Sequence, residues 1–301
     1  MDSLAAAPGT GPNTSPLPIL RKPRARATFD GLPRDRAVVM GILNVTPDSF
    51  SDGGEYATAD SAIAAGLRMF YAGADIIDVG GESTRPGAEE VPEDLEQVRV
   101  LPVVEALVKA GALVSVDTRR ASTALKALDA GATIINNVSG LAVTDEMIRL
   151  VAERNAYYVL MHNRGDSKHM DGLASYGDVV EDVIAETLQI RDRLRAGGVS
   201  DSRIILDPGL GFAKNGQQNW ELVKHVSRFT ALGHPVLVAA SRKRFIGELL
   251  TSAGKAAPPL ARDAATAAIT ALAAAAGAWG VRVHDVAANL DAVKVAARAK
   301  V

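Results

Sequence analysis

The chain has 301 residues, 48% of them apolar, enough to bury a large core. Its formal net charge of −2 excludes a general basic field for nucleic acid. It has no cysteine, which excludes disulfides, thiol nucleophiles and Cys-type zinc sites and favours a cytoplasmic setting.

The first 18 residues are rich in Ala, Pro, Gly, Ser and Thr and hold no apolar h-region, so they read as a disordered tail rather than a signal peptide. Arg21 to Arg36 is basic and broken by Pro23, Gly31 and Pro33, predicting a short hairpin or lid over one end of the domain. Residues 1–36 are thus a tail and N-terminal segment, and 37–301 a single domain.

Val38–Asn44 is a continuous apolar run, as expected of a strand buried on both faces. A long polar loop, Val45–Gly54, follows it. Helical spacing of apolar residues then runs from Thr58 to Ala72, closed by Gly73. The unit repeats. Strands are predicted at Asp75–Gly80, Leu113–Asp117, Thr133–Val138, Tyr157–His162, Arg203–Asp207, Val236–Ala240 and Gly280–Val283. Helices are predicted at Pro92–Ala110, Arg120–Ala130, Thr144–Arg154, Gly177–Ala196, Gly216–Leu232, near Gly247, at Arg262–Ala276 and at Val286–Lys300. The Ala-rich run Ala264–Ala278 is broken by Thr266, Thr270 and Gly277. It reads as a buried or subunit-facing helix, not a membrane span. Strict βα alternation implies parallel strands. Eight units of this size predict an α/β protein with a (β/α)8 TIM barrel. A doubly wound sheet is the alternative, but no GxGxxG follows the first strand.

Barrel active sites lie at the C-terminal strand ends. Here those ends carry Asn44, Asp78 with Glu82-Ser83-Thr84-Arg85, Asp117, Asn136-Asn137, His162, Asp207, Ser241-Arg242-Lys243, and Arg282 with His284-Asp285. Asp117, Asn136 and Asp207 suit a flat heterocycle with amidine-like N–H groups, although helix capping by either Asp is a competing reading. Arg242, Lys243, Arg282 and His284 come from the last two strands and suit a diphosphate. Salt bridges to Asp263 or Asp285 are the alternative, chiefly for Arg242. The loops Gly81–Glu90 and Pro208–Gly216 mix Gly and Pro and read as movable covers. His162 reads better as a packed, hydrogen-bonded residue than as a general base. Neither HxxxH, HExxH nor GxSxG occurs. Trp220 and Trp279 are assigned to the core or an interface.

The ordered motifs GILNVTPDSFSDGG, DIIDVGGESTRPGA, VSVDT, GATIINN, VLMHNRG, RIILDPGLGFAKN, VAASRKRFIG and GVRVHDV closely resemble bacterial dihydropteroate synthase. The resemblance runs from Met40 almost to the C-terminus. It implies a (β/α)8 transferase of folate biosynthesis that condenses 6-hydroxymethyl-7,8-dihydropterin diphosphate with 4-aminobenzoate, is inhibited by sulfonamides, and forms a homodimer through its last helices. By motif, Asp117, Asn136, Asp207 and Lys243 would bind the pterin. Asn44 would ligate Mg²⁺ with the diphosphate, which Arg282, His284 and Thr84 would hold. Thr84, Arg85, Pro86, Phe212, Ser241 and Lys243 would form the aminobenzoate pocket, under a first loop carrying Phe50 and Asp52. Asp117, Lys243 and Arg282 would carry the chemistry. Asn137 stands where the family usually has Asp, and Ser167 where Pro is common. A non-catalytic pterin-binding paralogue would show damage in Ser83–Pro86 or Ser241–Lys243, and both stretches are whole. A pterin-dependent methyltransferase would not need the diphosphate cluster. No nucleic acid or membrane partner is expected.

Overall fold

The computed structural model describes residues 27–46, 55–83, 90–165 and 170–299. Along them run β1 (Val38–Asn44), α1 (Glu55–Ala72), β2 (Ile76–Gly80), α2 (Glu93–Lys109), β3 (Val114–Asp117), α3 (Ala121–Asp129), β4 (Ile134–Asn137), α4 (Asp145–Arg154), β5 (Tyr157–Met161), α5 (Val179–Ala196), β6 (Ile204–Asp207), α6 (Gly216–Lys224), α7 (Val226–Thr230), β7 (Leu237–Val238), α8 (Arg244–Leu249), α9 (Asp263–Ala275), β8 (Gly280–Val283) and α10 (Val286–Ala299). The strands pair in parallel in the order β6-β5-β4-β3-β2-β1-β8-β7, and a parallel bridge between Leu206 and Val236 joins the two ends. This is the expected (β/α)8 barrel. No helix among the described residues is long and apolar enough to cross a membrane.

Strand alternation sorts the core into layers. Val39, Leu43, Ile77, Val79, Val114 and Val116 face outward and pack with the apolar sides of the helices. Val38, Met40, Ile76, Leu113, Ile134, Val159, Ile205 and Leu237 fill the barrel interior. Tight αβ joints set the register. After α1, Gly73 turns the chain at φ +104°, and after α4 Asn155 takes a left-handed conformation, at φ +48°.

Three expectations need correction. The N-terminal segment covers one end of the barrel, as its reading as a lid expects, but no hairpin forms in its described part. A single 3₁₀ turn, Phe29–Gly31, instead lays Phe29 on Tyr157 at 3.5 Å and against Trp279 at 5.5 Å, closing the N-terminal end of the barrel. Pro33, with no N–H to donate, works against strand pairing there. The predicted helix Gly216–Leu232 breaks into α6 and α7 at His225, whose Nδ1 lies 2.8 Å from the Glu221 carbonyl oxygen. Strand β7 shrinks to two residues, and Pro235 contributes only its carbonyl to the ladder, accepting from Leu206 N–H at 2.8 Å.

Candidate active site

The same alternation that fills the barrel floor builds its mouth. Ile76 points inward, and so does Asp78 two residues on. Leu113 leads by the same parity to Ser115 and Asp117, Ile134 to Asn136, and Ile205 to Asp207. On β8, Gly280 leads to Arg282 and then His284. Asp78, Asp117, Asn136 and Asp207 are all buried. His162 and Asn137 have the opposite parity and face the helices.

Arg282 organises the group. Its Nε donates to Asp78 Oδ2 at 2.6 Å and its Nη2 to Asp117 Oδ2 at 2.8 Å. Asn136 Nδ2 also donates to Asp78 Oδ2, at 2.9 Å. One cation thus serves two buried carboxylates. Burial would lower the Arg282 pKa, but Asp78 and Asp117 outweigh it and raise it. Burial raises Asp117 well above the carboxylate range, against the pull of Arg282 and with a push from Asp78. Asp78 Oδ1 and Ser115 Oγ, on register-paired residues of β2 and β3, are buried without a hydrogen-bond partner.

Across the mouth, Asp207 Oδ1 accepts from Gly209 N–H at 2.7 Å. Burial raises its pKa, opposed by Lys243. Lys243 Nζ donates to the Leu210 carbonyl and lies 4.8 Å from the centre of the Phe212 ring. Burial lowers Lys243 to about 8, with Asp207 resisting and Arg282 assisting. Gly211, at φ +78°, gives the aliphatic stem of Lys243 its room: a Cβ there would lie 2.9 Å from Cδ. Ser241 Oγ and His284 Nδ1 are 2.9 Å apart, and Ser241 Oγ accepts from His284 N–H at 3.1 Å, latching β7 to β8.

The described residues therefore bring together Asp117, Asn136, Asp207, Phe212, Ser241, Lys243, Arg282 and His284 around the C-terminal mouth, with Asn44 half-buried at the end of β1. Thr84, Arg85 and Pro86 lie outside the described residues, as do Phe50, Asp52 and Ser167. Glu82, just before the second loop, accepts from Arg119 at 2.5 Å and Arg120 at 2.7 Å. Arg242 leaves the cationic cluster: it forms a two-bond pair with Asp263, 2.7 Å on each arm. Asp117 caps no helix, since α3 begins at Ala121 and its N-cap is Arg120, with no side-chain cap bond. Asp207 caps no helix either: its donor, Gly209 N–H, belongs to a turn, and α6 is capped by Asn215. His162 is fully buried and packed, as expected. Asn137 Oδ1 accepts from Ser139 N–H at 2.8 Å, a bond that Asp would also make, while its Nδ2 has no partner.

Sequence reasoning gave no role to Asp78 and overlooked Lys214. A carboxylate inside the apolar run Ile76–Gly80 is itself a signal, because a buried charge requires a partner. Lys214, in a Gly-rich loop, carries no such signal.

Comparison with known proteins agrees with this geometry. The pterin binding enzyme family model matches residues 40–284. The dihydropteroate synthase of Mycobacterium leprae is 51% identical over 259 residues, covering 85% of this chain and 91% of that protein. The Xanthomonas albilineans dihydropteroate synthase structure with 4-aminobenzoic acid superposes with a TM-score of 0.81 at 42% identity, over 91% of this chain and 96% of that one. The same enzyme in complex with 7,8-dihydropteroate gives a TM-score of 0.78 at 40% identity, over 88% and 94%. A buried acceptor triad facing a lysine and an arginine, on a barrel this close to those enzymes, places the chain in the dihydropteroate synthase family of pterin binding enzymes.

Proposed function

We propose that this chain joins 6-hydroxymethyl-7,8-dihydropterin diphosphate to 4-aminobenzoate, giving 7,8-dihydropteroate and diphosphate, with the mouth residues divided between the two substrates. The observation that carries the division is the convergence of Asp117, Asn136 and Asp207 with Lys243 and Arg282 in one barrel mouth.

The two carboxylates and the amide accept hydrogen bonds from the pterin N–H edge. Ring donors offset the cost of burying Asp117 and Asp207, one of which has only a shared cation. The C–O bond between the methylene carbon and the diphosphate breaks, and the electron pair leaves with the diphosphate. Negative charge at Asp117 and Asp207 stabilises the resulting methylene cation conjugated with the ring. Arg282, His284 and Lys243 supply positive charge for the leaving group. The aminobenzoate nitrogen then forms the C–N bond and releases its proton. An aniline nitrogen is nucleophilic when neutral, so no strong base is required, in keeping with a His162 that faces the helices. We assign the aminobenzoate to Phe212, Ser241 and Lys243, together with Thr84, Arg85 and Pro86, which lie outside the described residues.

The donor set fits Mg²⁺. The Asn44 amide is a hard oxygen donor beside the mouth, and Mg²⁺ commonly takes one or two protein ligands with substrate phosphates completing its shell. No group of three or more His, Asp or Glu side chains that could hold a metal by itself occurs among the described residues, so the diphosphate would be part of the site. When bound, the ion would neutralise charge on the departing diphosphate.

The active form we propose is a homodimer in the cytoplasm. Leu272 on α9 and Val295 on α10, exposed at 62% and 65%, support the interface, and a chain without cysteine fits a reducing compartment. Purified protein incubated with pterin diphosphate, 4-aminobenzoate and Mg²⁺ should release diphosphate only when all three are present. Binding of the pterin diphosphate without release would instead indicate a non-catalytic paralogue.

A further inference from the structure

Beneath the loop after β6 lies a cation that the reaction does not use. Lys214 is 3% exposed. Its Nζ donates to the Phe212 carbonyl at 2.9 Å and to the Gly209 carbonyl at 3.0 Å, and lies 3.0 Å from His162 Nδ1. An ammonium has three donors, and here three acceptors surround it. The arrangement assigns His162 as the neutral tautomer that accepts at Nδ1 and donates from Nε2 to Glu186 Oε2, 2.9 Å away. Arg164 completes the chain by donating to both Glu186 oxygens. It also stacks on Tyr176, with 3.9 Å from guanidinium carbon to ring centre, and Tyr176 donates its hydroxyl to the Ala213 carbonyl at 3.0 Å. The loops after β5 and β6 are thereby joined through the Lys214 ammonium and the Tyr176 hydroxyl.

A buried cation is costly, and packing alone would be served as well by an apolar side chain. What the ammonium holds is a strained turn. Gly209, Gly211 and Ala213 all have positive φ, at +68°, +78° and +48°, and Ala213 has a Cβ. Each turn of that backbone touches the site. Gly209 N–H holds Asp207, the Leu210 carbonyl holds Lys243, and the Phe212 ring faces the Lys243 ammonium. Lys214 gathers the carbonyls on either side of these contacts.

We propose that Lys214 is a positioning residue of the synthase reaction, holding the 208–213 turn so that Phe212 and Lys243 form the wall between the pterin and aminobenzoate sites. It rests on the function proposed above. The ammonium touches neither substrate and acts through the two carbonyls. Burial lowers its pKa to about 7, against the raising effect of Asp207.

The test is initial-rate kinetics of the full chain, varying each substrate in turn. Aminobenzoate-dependent diphosphate release by the wild type checks the reaction itself. Lys214→Gln and Lys214→Met should each raise the KM for 4-aminobenzoate about tenfold or more while kcat changes less than about threefold, the signature of lost binding without lost chemistry. Tyr176→Phe, which frees only the Ala213 carbonyl, should shift the same KM in the same direction by about two- to threefold. Calorimetric titration of 4-aminobenzoate into protein loaded with pterin and diphosphate reads the same change in Kd without turnover. An inactive preparation therefore separates failure of the reaction from failure of the Lys214 assignment. Unchanged aminobenzoate KM and Kd in folded Lys214→Gln, or in Tyr176→Phe if neither Lys214 variant folds, would overturn the proposal. So would a loss confined to kcat or to thermal stability.

Discussion

Arg282 donates to Asp78 over 2.6 Å in the barrel mouth, and the same guanidinium reaches Asp117. Two buried carboxylates therefore share one cation. Burial raises Asp117, Arg282 opposes it, and the Asp78 charge adds a further push upward. Asp78→Asn removes that push and leaves Arg282 to Asp117 alone. The acid limb of the kcat/KM profile for pterin diphosphate should move to lower pH. Affinity for the pterin should fall about tenfold, roughly 1.4 kcal/mol of binding, because the guanidinium loses the anchor that aims it. An acid limb that stays in place would show that Asp117 does not titrate in the profile.

Lys243 governs the alkaline side. Its pKa lies at about 8 instead of the ordinary 10.5, so the protonated form is lost as pH rises through about 8. Pterin diphosphate kcat/KM should decline above that pH. Lys243→Arg keeps its charge at every accessible pH and should carry the limb upward, even with a lower maximum. Lys243→Ala should lower kcat/KM by orders of magnitude throughout, as should Asp117→Asn. Near wild-type turnover in either would remove these residues from the mechanism.

His162 gives a stability signature instead. Burial, with Lys214 beside it, holds its pKa down to about 4 against an ordinary 6.5. Between those values the unfolded chain binds a proton that the folded chain refuses, so stability falls as pH drops through 6.5 towards 4. A displacement of that size corresponds to about 3 kcal/mol. Burial would raise Glu186, but hydrogen bonds from His162 and Arg164 outweigh it and hold it at about 2. Its contribution is therefore lost lower, between 4.5 and about 2. His162→Gln cannot titrate. Urea unfolding across pH should show the first decline vanish in this variant and the second remain.

The fold was legible because βα alternation and helix-ending residues are local signals. The acceptor triad was legible because a polar residue in an apolar strand has a fixed parity. What escaped was tertiary. His225 bonds its own helix backbone, and nothing in Gly216–Leu232 marks the break. Asp263 is 21 residues from Arg242, so the sequence could offer their pairing only as an alternative. Lys214 is buried by a turn whose left-handed residues include Ala213, a residue type that does not announce such a conformation. Arg282 was expected on the diphosphate. The structure shows its fork already engaged by two carboxylates, one of which, Asp78, had been given no role.

The homodimer can be tested through its exposed apolar residues. Leu272 and Val295 sit on adjoining helices α9 and α10. Leu272→Glu combined with Val295→Glu should halve the mass seen by analytical ultracentrifugation while leaving the far-UV circular dichroism unchanged. A variant of unchanged mass would move the interface elsewhere.

Gly211 and Gly233 form a matched pair that separates backbone strain from site geometry. Both have left-handed φ, +78° and +83°. Alanine at either position pays a similar conformational penalty of about 1–2 kcal/mol. A Cβ on Gly233 meets nothing within 4 Å, whereas one on Gly211 lies 2.9 Å from Lys243 Cδ. Gly233→Ala should lose stability in urea unfolding with no change in substrate affinity. Gly211→Ala should lose a similar amount of stability, and it should also push the Lys243 stem aside, breaking the bond to the Leu210 carbonyl and the approach to Phe212. Calorimetry should then record weaker pterin binding, by about tenfold, in Gly211→Ala alone. Equal affinities in the two variants would mean that Lys243 yields without cost, and that its contact with the turn does not position it.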